Sequence, residues 1–163
     1  MVYLFCAYRD WSLKLYEKLS KKHDNFILLN SPKKLTFSFV KKLNPKLIFF
    51  PDWSWIIPKK ITSNYKCICF HESNLPKFRG GSPLQNQIIR GITKTKTTAF
   101  LMSEGIDEGD IILQQSLSLN GKIDEIFSRM IKNDFKMIEK IISKNYKLTK
   151  QKGKPSIFKR RKP

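Results

Sequence analysis

Short apolar runs alternate with amphipathic stretches along this chain. Residues 2–7, 26–29 and 47–50 are apolar runs of strand length, 65–70 is apolar but for Lys66, and all four read as strands. Between them, Trp11 to Lys22 carries Trp11, Leu15 and Leu19 at helical spacing. Ser31-Pro32 opens a second helix, with Pro in its first turn, that runs to about Leu43 and stops before Pro45. Further on, Pro83 to Arg90 reads as a helix closed by Gly91. Residues 97–102 and 111–115 read as two more strands joined by an acidic loop with two glycines. From Ile123 to Ile142 the apolar positions 123, 126, 127, 130, 131, 135, 138, 141 and 142 describe one long amphipathic helix.

Strand–helix alternation with apolar strands predicts an α/β domain with a mainly parallel central sheet flanked by helices. In such sheets a ligand sits at the carboxyl ends of the strands. Two segments at predicted strand ends are unusual: Pro51 to Pro58, with two tryptophans, and His71 to Pro83, punctuated by Pro and Gly. There is no internal repeat, no Gly-rich dinucleotide fingerprint and no phosphate-binding P-loop, so nicotinamide or ATP chemistry gains little support.

Composition narrows the class. At 163 residues with 40% hydrophobic and 12% aromatic content, the chain suits one globular domain. No apolar run approaches the ~18–20 residues of a membrane span. The N-terminus lacks the basic start and cleavage site of a signal peptide, so a cytoplasmic location is expected. Cys6, Cys67 and Cys69 are odd in number and lack Cys-x-x-Cys spacing, which argues for a reduced compartment. No metal is expected, because His23 and His71 lack ligand spacing. The 32 basic and 13 acidic residues give a net charge of +19, either a phosphate-attracting surface or a solvated lysine coat. Residues 146–163 form a basic tail behind a domain expected to span 1–145; from Lys144 onward there are nine basic residues and no acid.

The most informative stretch is His71-Glu72-Ser73-Asn74-Leu75-Pro76-Lys77-Phe78-Arg79-Gly80, where a histidine leaves a strand and enters a loop. Further along comes Gly105-Ile106-Asp107-Glu108-Gly109-Asp110-Ile111. Together these segments resemble the formyltransferases that use 10-formyltetrahydrofolate. Their pattern is His-x-Ser-x-Leu-Pro-x-x-Arg-Gly followed by Gly-hydrophobic-Asp-x-Gly-Asp-hydrophobic. The resemblance covers roughly residues 45 to 145. The segments Phe50 to Pro58 and Arg79 to Asn86, and the ending Phe158-Lys159-Arg160-Arg161, are similar to the branch that formylates nucleotide-linked 4-amino-4,6-dideoxy sugars.

The resemblance implies a Rossmann-like fold, 10-formyltetrahydrofolate as formyl donor, and His71 and Asp107 as the pair that carries the chemistry. A histidine can donate to a tetrahedral oxyanion or accept the attacking amine's proton, and a carboxylate beside it orients it and stabilises its charged form. The family's oxyanion-donating asparagine falls at Cys69, and a thiol is a weak donor. Trp53, Trp55 and Ile56, with Ile106, Asp107 and Asp110 of the acidic loop, fall where the family holds the pterin. Arg79, Gly80, Gly81 and Ser82 would face the acceptor, and Lys159, Arg160 and Arg161 are candidates to meet a diphosphate. The expected acceptor is a nucleotide-linked amino sugar, with a homodimer as the expected assembly. One alternative is methionyl-tRNA, which the charge suits but whose enzymes carry a further RNA-binding domain. Another is a catalytically lapsed folate-binding core fragment, which Cys69 motivates.

Overall fold

The computed structural model describes residues 1–162, in two compact units, Met1–Cys69 and Phe70–Pro163. The first unit is built from parallel strands and returning helices. Its elements are β1 (Tyr3–Cys6), α1 (Asp10–Ser20), β2 (Phe26–Leu29), a 3-10 turn (Pro32–Lys34), α2 (Phe37–Leu43), β3 (Leu47–Phe50) and α3 (Lys59–Asn64). The strand β4 (Cys67–His71) leads out of it. The order is β2-β1-β3-β4, every pair parallel, with Tyr3 facing both Phe26 and Leu47 and with Ile48 facing Cys67. Leu4, Phe5, Ile48 and Phe49 are fully buried, which is why these strands lack an alternating polar face. Leu15 and Leu19 of α1, Val40 of α2 and Ile61 of α3 are buried with them.

Two differences from the sequence reading have local causes. The helix expected from Ser31 to Leu43 breaks at Leu35, and α2 restarts at Phe37 because the Thr36 hydroxyl accepts the Phe39 N–H at 3.2 Å as its N-cap. Asn44 then closes α2 in the left-handed region (φ 49°). The strand expected over 65–70 runs Cys67–His71, so His71 is its last residue. Burial pushes the Cys67 thiol up to about 12 and raises Cys6 as well, and no disulfide joins the cysteines. Such thiols stay protonated and inert.

The second unit contains β5 (Arg79–Gly80), α4 (Pro83–Ile88), β6 (Lys94–Leu101), β7 (Ile111–Ser118), α5 (Ile123–Ile142) and β8 (Ile157–Phe158). β6 and β7 form an antiparallel hairpin with Thr97 opposite Gln115 and a register shift at Ala99/Phe100. The apolar face of α5, including Met130, Met137, Ile138 and Ile141, is buried, and Asn133 Nδ2 donates to the Ser116 carbonyl of β7 at 2.9 Å. The bounds of α5 are those the periodicity predicts. Its start is fixed by the Glu125 carboxylate, which accepts the Lys122 N–H.

One residue of α5 carries a measurable cost. Asp134 is wholly buried and neither of its carboxyl oxygens has a hydrogen-bond partner. Burial first, and the Glu72 carboxylate second, push its pKa well above the ordinary value. The folded chain therefore keeps a proton that the unfolded chain releases near pH 4, and stability falls as pH rises from there until the folded group itself ionises. Asp134→Asn removes that proton difference. Urea unfolding is expected to find the variant more stable than the parent at pH 8, with the gap closing as pH falls toward about 4.

Candidate functional site

His71 and Asp107 come together in the second unit. The Nδ1 of His71 lies 3.7 Å from Asp107 Oδ2, an ion-pair separation too long for a hydrogen bond. His71 Nε2 lies 2.6 Å from the Phe78 carbonyl oxygen. A carbonyl can only accept, so Nε2 carries the hydrogen and Nδ1 of the neutral ring is the lone-pair nitrogen. That lone pair faces a carboxylate. The arrangement suits a ring that gains a proton at Nδ1, because Asp107 then meets a cation. Both side chains are largely covered, 9% and 21% exposed, which strengthens that attraction relative to water.

The backbone around the pair is held in sparsely populated conformations. Phe78, Ser82 and Asp107 have φ of 57°, 50° and 52°, in the left-handed region that non-glycine residues rarely enter. Each is compensated. Asp107 Oδ2 accepts the Gly80 N–H at 2.8 Å, and the Phe78 N–H donates to the Ser156 hydroxyl at 2.9 Å. The Arg161 N–H donates to the Ser82 hydroxyl at 3.0 Å.

The sequence reading gave Gln151 no role, yet it joins three parts of this site. Its Nε2 donates to the carbonyls of Asp107 (2.7 Å) and Gly109 (2.8 Å). Its Oε1 accepts from Arg79 Nη2 at 2.8 Å and Nε at 3.3 Å. One amide thus pins both shoulders of the acidic loop and holds the arginine expected at the acceptor side. A lone glutamine amid lysines offers no pattern that sequence reasoning could have used. Glu108 sits 3.9 Å from Arg79 Nη1, and Asp110 pairs with Lys150 at 3.1 Å, so Asp110 is committed to a surface ion pair.

The basic segment is threaded through the site. Thr149 pairs with Ile111, the Arg79 N–H donates to the Ser156 carbonyl at 2.9 Å, and β8 pairs with β5 so that Gly80 faces Phe158. Phe78 and Phe158 stack at 4.9 Å, and the Arg90 guanidinium lies 4.3 Å over the Phe158 ring. Gly81 allows the approach: a Cβ there would stand 2.5 Å from the Arg160 Cα. Gly81→Ala is expected to push this segment away and cost about 1–3 kcal/mol, read as a lower thermal midpoint.

In the first unit, Trp53 and Trp55 pack edge-to-face at 5.0 Å, and Tyr8 lies 4.6 Å from Trp55. The Trp53 indole nitrogen is enclosed without a hydrogen-bond partner, so Trp53 is a packing residue that presents no donor at the surface. Trp55 (42% exposed) and Ile56 (97%) are the open members of the segment. Asp52 holds the loop against Arg9 through Oδ1 at 2.7 Å and accepts from the Ser12 hydroxyl at 3.2 Å; burial raises its pKa despite the arginine. Cys69 is half-buried on β4, two residues before His71 and so on the same strand face. Ile106 is exposed on the acidic loop.

A mainly parallel α/β scaffold with a His–carboxylate pair at a strand end defines the class, and comparison with known proteins specifies it. The formyl transferase family pattern matches residues 30–138, and the chain belongs to that family. A methionyl-tRNA formyltransferase of Caldicellulosiruptor saccharolyticus is 33% identical over 135 residues, covering 76% of this chain. The chain covers 43% of that relative, less than half of its length. Among solved structures, methionyl-tRNA formyltransferase from Clostridium thermocellum matches at a TM-score of 0.94 and 43% identity, over 99% of this chain and 73% of that one. WlaRD, a sugar 3N-formyl transferase solved with dTDP and 5-N-formyl-THF, shares the fold at a TM-score of 0.71 and 20% identity, over 98% of this chain and 70% of that one. No helix among the described residues is long and apolar enough to cross a membrane.

Proposed function

We propose that the protein moves a formyl group from 10-formyltetrahydrofolate to the amine of a nucleotide-linked amino sugar in a reducing, cytoplasmic setting. The observation that carries the chemistry is the lone-pair Nδ1 of His71 aimed at Asp107 while Nε2–H is held by Phe78. The neutral acceptor amine attacks the formyl carbon, forming a carbon–nitrogen bond and a tetrahedral oxyanion. His71 Nδ1 takes a proton from the new ammonium, and Asp107 stabilises the resulting imidazolium. The same proton passes to the folate nitrogen as its bond to the formyl carbon breaks, leaving tetrahydrofolate and a formamide. The Gly80 N–H is occupied by Asp107 and does not serve the oxyanion. Cys69 occupies the position on β4, two residues before His71, where the family resemblance expects an oxyanion-donating asparagine. Trp55 and Ile56 offer an open aromatic and apolar surface of the kind a flat pterin uses.

The sugar acceptor rests on the segments Phe50 to Pro58, Arg79 to Asn86 and Phe158 to Arg161. A second acceptor, methionyl-tRNA, is favoured by the 33% and 43% identities to methionyl-tRNA formyltransferases. A panel of nucleotide 4-amino and 3-amino sugars and methionyl initiator tRNA, each supplied with 10-formyltetrahydrofolate, separates the two. Formylation of a sugar nucleotide alone supports the first reading. Formylation of the tRNA alone replaces it with the second. Folate binding without formylation of any acceptor removes both and leaves a folate-binding core.

A further inference from the structure

We propose that Gln151 is a positioning residue for formyl transfer: it fixes the Asp107 carboxylate against His71, and Arg79 serves that placement through Gln151 and not by holding the acceptor. This rests on the formyl-transfer reading. An amide side chain has two donor hydrogens and two acceptor lone pairs, and Gln151 spends all of them here. Its Nε2 donates to the carbonyls of Asp107 at 2.7 Å and Gly109 at 2.8 Å. Its Oε1 accepts from Arg79 Nη2 at 2.8 Å and Nε at 3.3 Å. Those partners fix which way the amide points. Reversed, it would set its oxygen against two carbonyl oxygens and its N–H groups against a guanidinium, which accepts nothing. The chain around Gln151 is clamped on both sides. Just before it, Thr149 and Ile111 exchange both backbone hydrogen bonds, at 2.7 and 2.9 Å. Beyond it, the Ser156 carbonyl accepts the Arg79 N–H at 2.9 Å. The amide therefore acts from a fixed base.

What the amide holds is a residue with little room to move. Asp107 sits at a φ of 52°, a conformation that needs support from outside the loop. Its Oδ2 accepts the Gly80 N–H at 2.8 Å and stands 3.7 Å from His71 Nδ1. The carboxylate is thus fixed at two points, through its backbone by Gln151 and through its side chain by Gly80. A loop released from Gln151 and displaced by ~1 Å would leave the imidazolium short of its counter-charge, and a misplacement of that size costs about 10²-fold in rate. Arg79 is the far end of the same frame. Its side chain is 16% exposed, and its Nη1 lies 3.9 Å from Glu108 Oε1. With Nε and Nη2 both on Gln151, the guanidinium turns its fork to the amide that it aligns.

The test is a double-mutant cycle with Asp107→Asn, read by steady-state kinetics on the intact protein. Gln151→Glu keeps oxygens for Arg79 and removes both donors to the acidic loop. It is expected to lower kcat about tenfold or more while the KM values of folate and acceptor stay within about twofold. In the Asp107→Asn background the same change should alter kcat by less than about twofold, because both residues act through one carboxylate. Equal fold-losses in the two backgrounds would leave Gln151 a structural residue and overturn the proposal. Arg79→Lys should likewise lower kcat at constant acceptor KM, and a raised acceptor KM at constant kcat overturns the part given to Arg79. Gln151→Met, uncharged and of similar length, carries the same expectations if Gln151→Glu fails to fold. The NMR resonance of His71 Nδ1 reads the coupling without turnover. Gln151→Glu should shift it in the parent and leave it in place in Asp107→Asn, whereas an unshifted resonance in the parent background overturns the proposal. A parent that formylates no acceptor ends the formyl-transfer reading, and the resonance then still decides whether Gln151 places Asp107 against His71.

Discussion

Replacing His71 by glutamine is expected to lower kcat by about 10²–10⁴-fold, the usual contribution of a positioned general acid–base. Glutamine can still donate to the Phe78 carbonyl, so the loop that follows β4 keeps its anchor. What is lost is a nitrogen that takes a proton and returns it within one catalytic cycle. The Michaelis constant for the folate should change little, because the loss falls on the transition state and not on ground-state binding. Steady-state kinetics, with circular dichroism to confirm the fold, reads both quantities. Activity within a few-fold of the parent would remove His71 from the mechanism.

Asp107→Asn is expected to produce the second large effect, a fall in kcat on the order of 10²–10⁴-fold, as when a carboxylate that supports a catalytic imidazolium is neutralised. The substitution is nearly isosteric, and the asparagine carbonyl can still accept the Gly80 N–H. Asparagine also tolerates the positive φ of this position, so the backbone strain does not increase. The variant therefore isolates charge from geometry. Should it turn over as fast as the parent, the carboxylate would serve only as a loop anchor. The Gln151 amide provides an internal comparison, since it holds the same loop through the Asp107 and Gly109 carbonyls without touching the histidine ring.

The parts of this architecture that were readable in the sequence are those encoded over short distances. The 20 residues of α5 carry their own periodicity, and β3 is an uninterrupted apolar run bounded by prolines. The proximity of His71 and Asp107 followed from family resemblance and not from any local pattern. Other features are non-local. β5 and β8 have two residues each, and Phe78 and Ser156 hydrogen-bond across 78 positions, so neither strand leaves a hydropathy signal. The helix α3, Lys-Lys-Ile-Thr-Ser-Asn, buries only Ile61 and lacks any amphipathic stripe, which explains why periodicity passed over it. The break before α2 depended on one capping hydroxyl. Asp134 lay inside a correctly read helix, but its isolation inside the protein depends on what α5 packs against.

Cys69, half-buried on β4 two residues before His71, stands where the sequence resemblance expects an oxyanion-donating asparagine. Gln151, Ser156 and Arg161 hydrogen-bond to the acidic loop and to the strained turns at Phe78 and Ser82, which places the segment after residue 148 beside the candidate pair. Two stretches of chain far apart in sequence, Arg79–Ser82 and Thr149–Arg161, are thus hydrogen-bonded together beside the pair.

In the proposed reaction a formyl carbon leaves the folate and arrives on an acceptor nitrogen. It is tested most directly with 10-formyltetrahydrofolate labelled in its formyl carbon, followed by chromatography and mass spectrometry of every product. Label is expected on the acceptor as a formamide, with one tetrahydrofolate formed per label transferred and both lost in the His71→Gln variant. Label recovered as free formate, at a rate unaffected by acceptor or by His71, would contradict it.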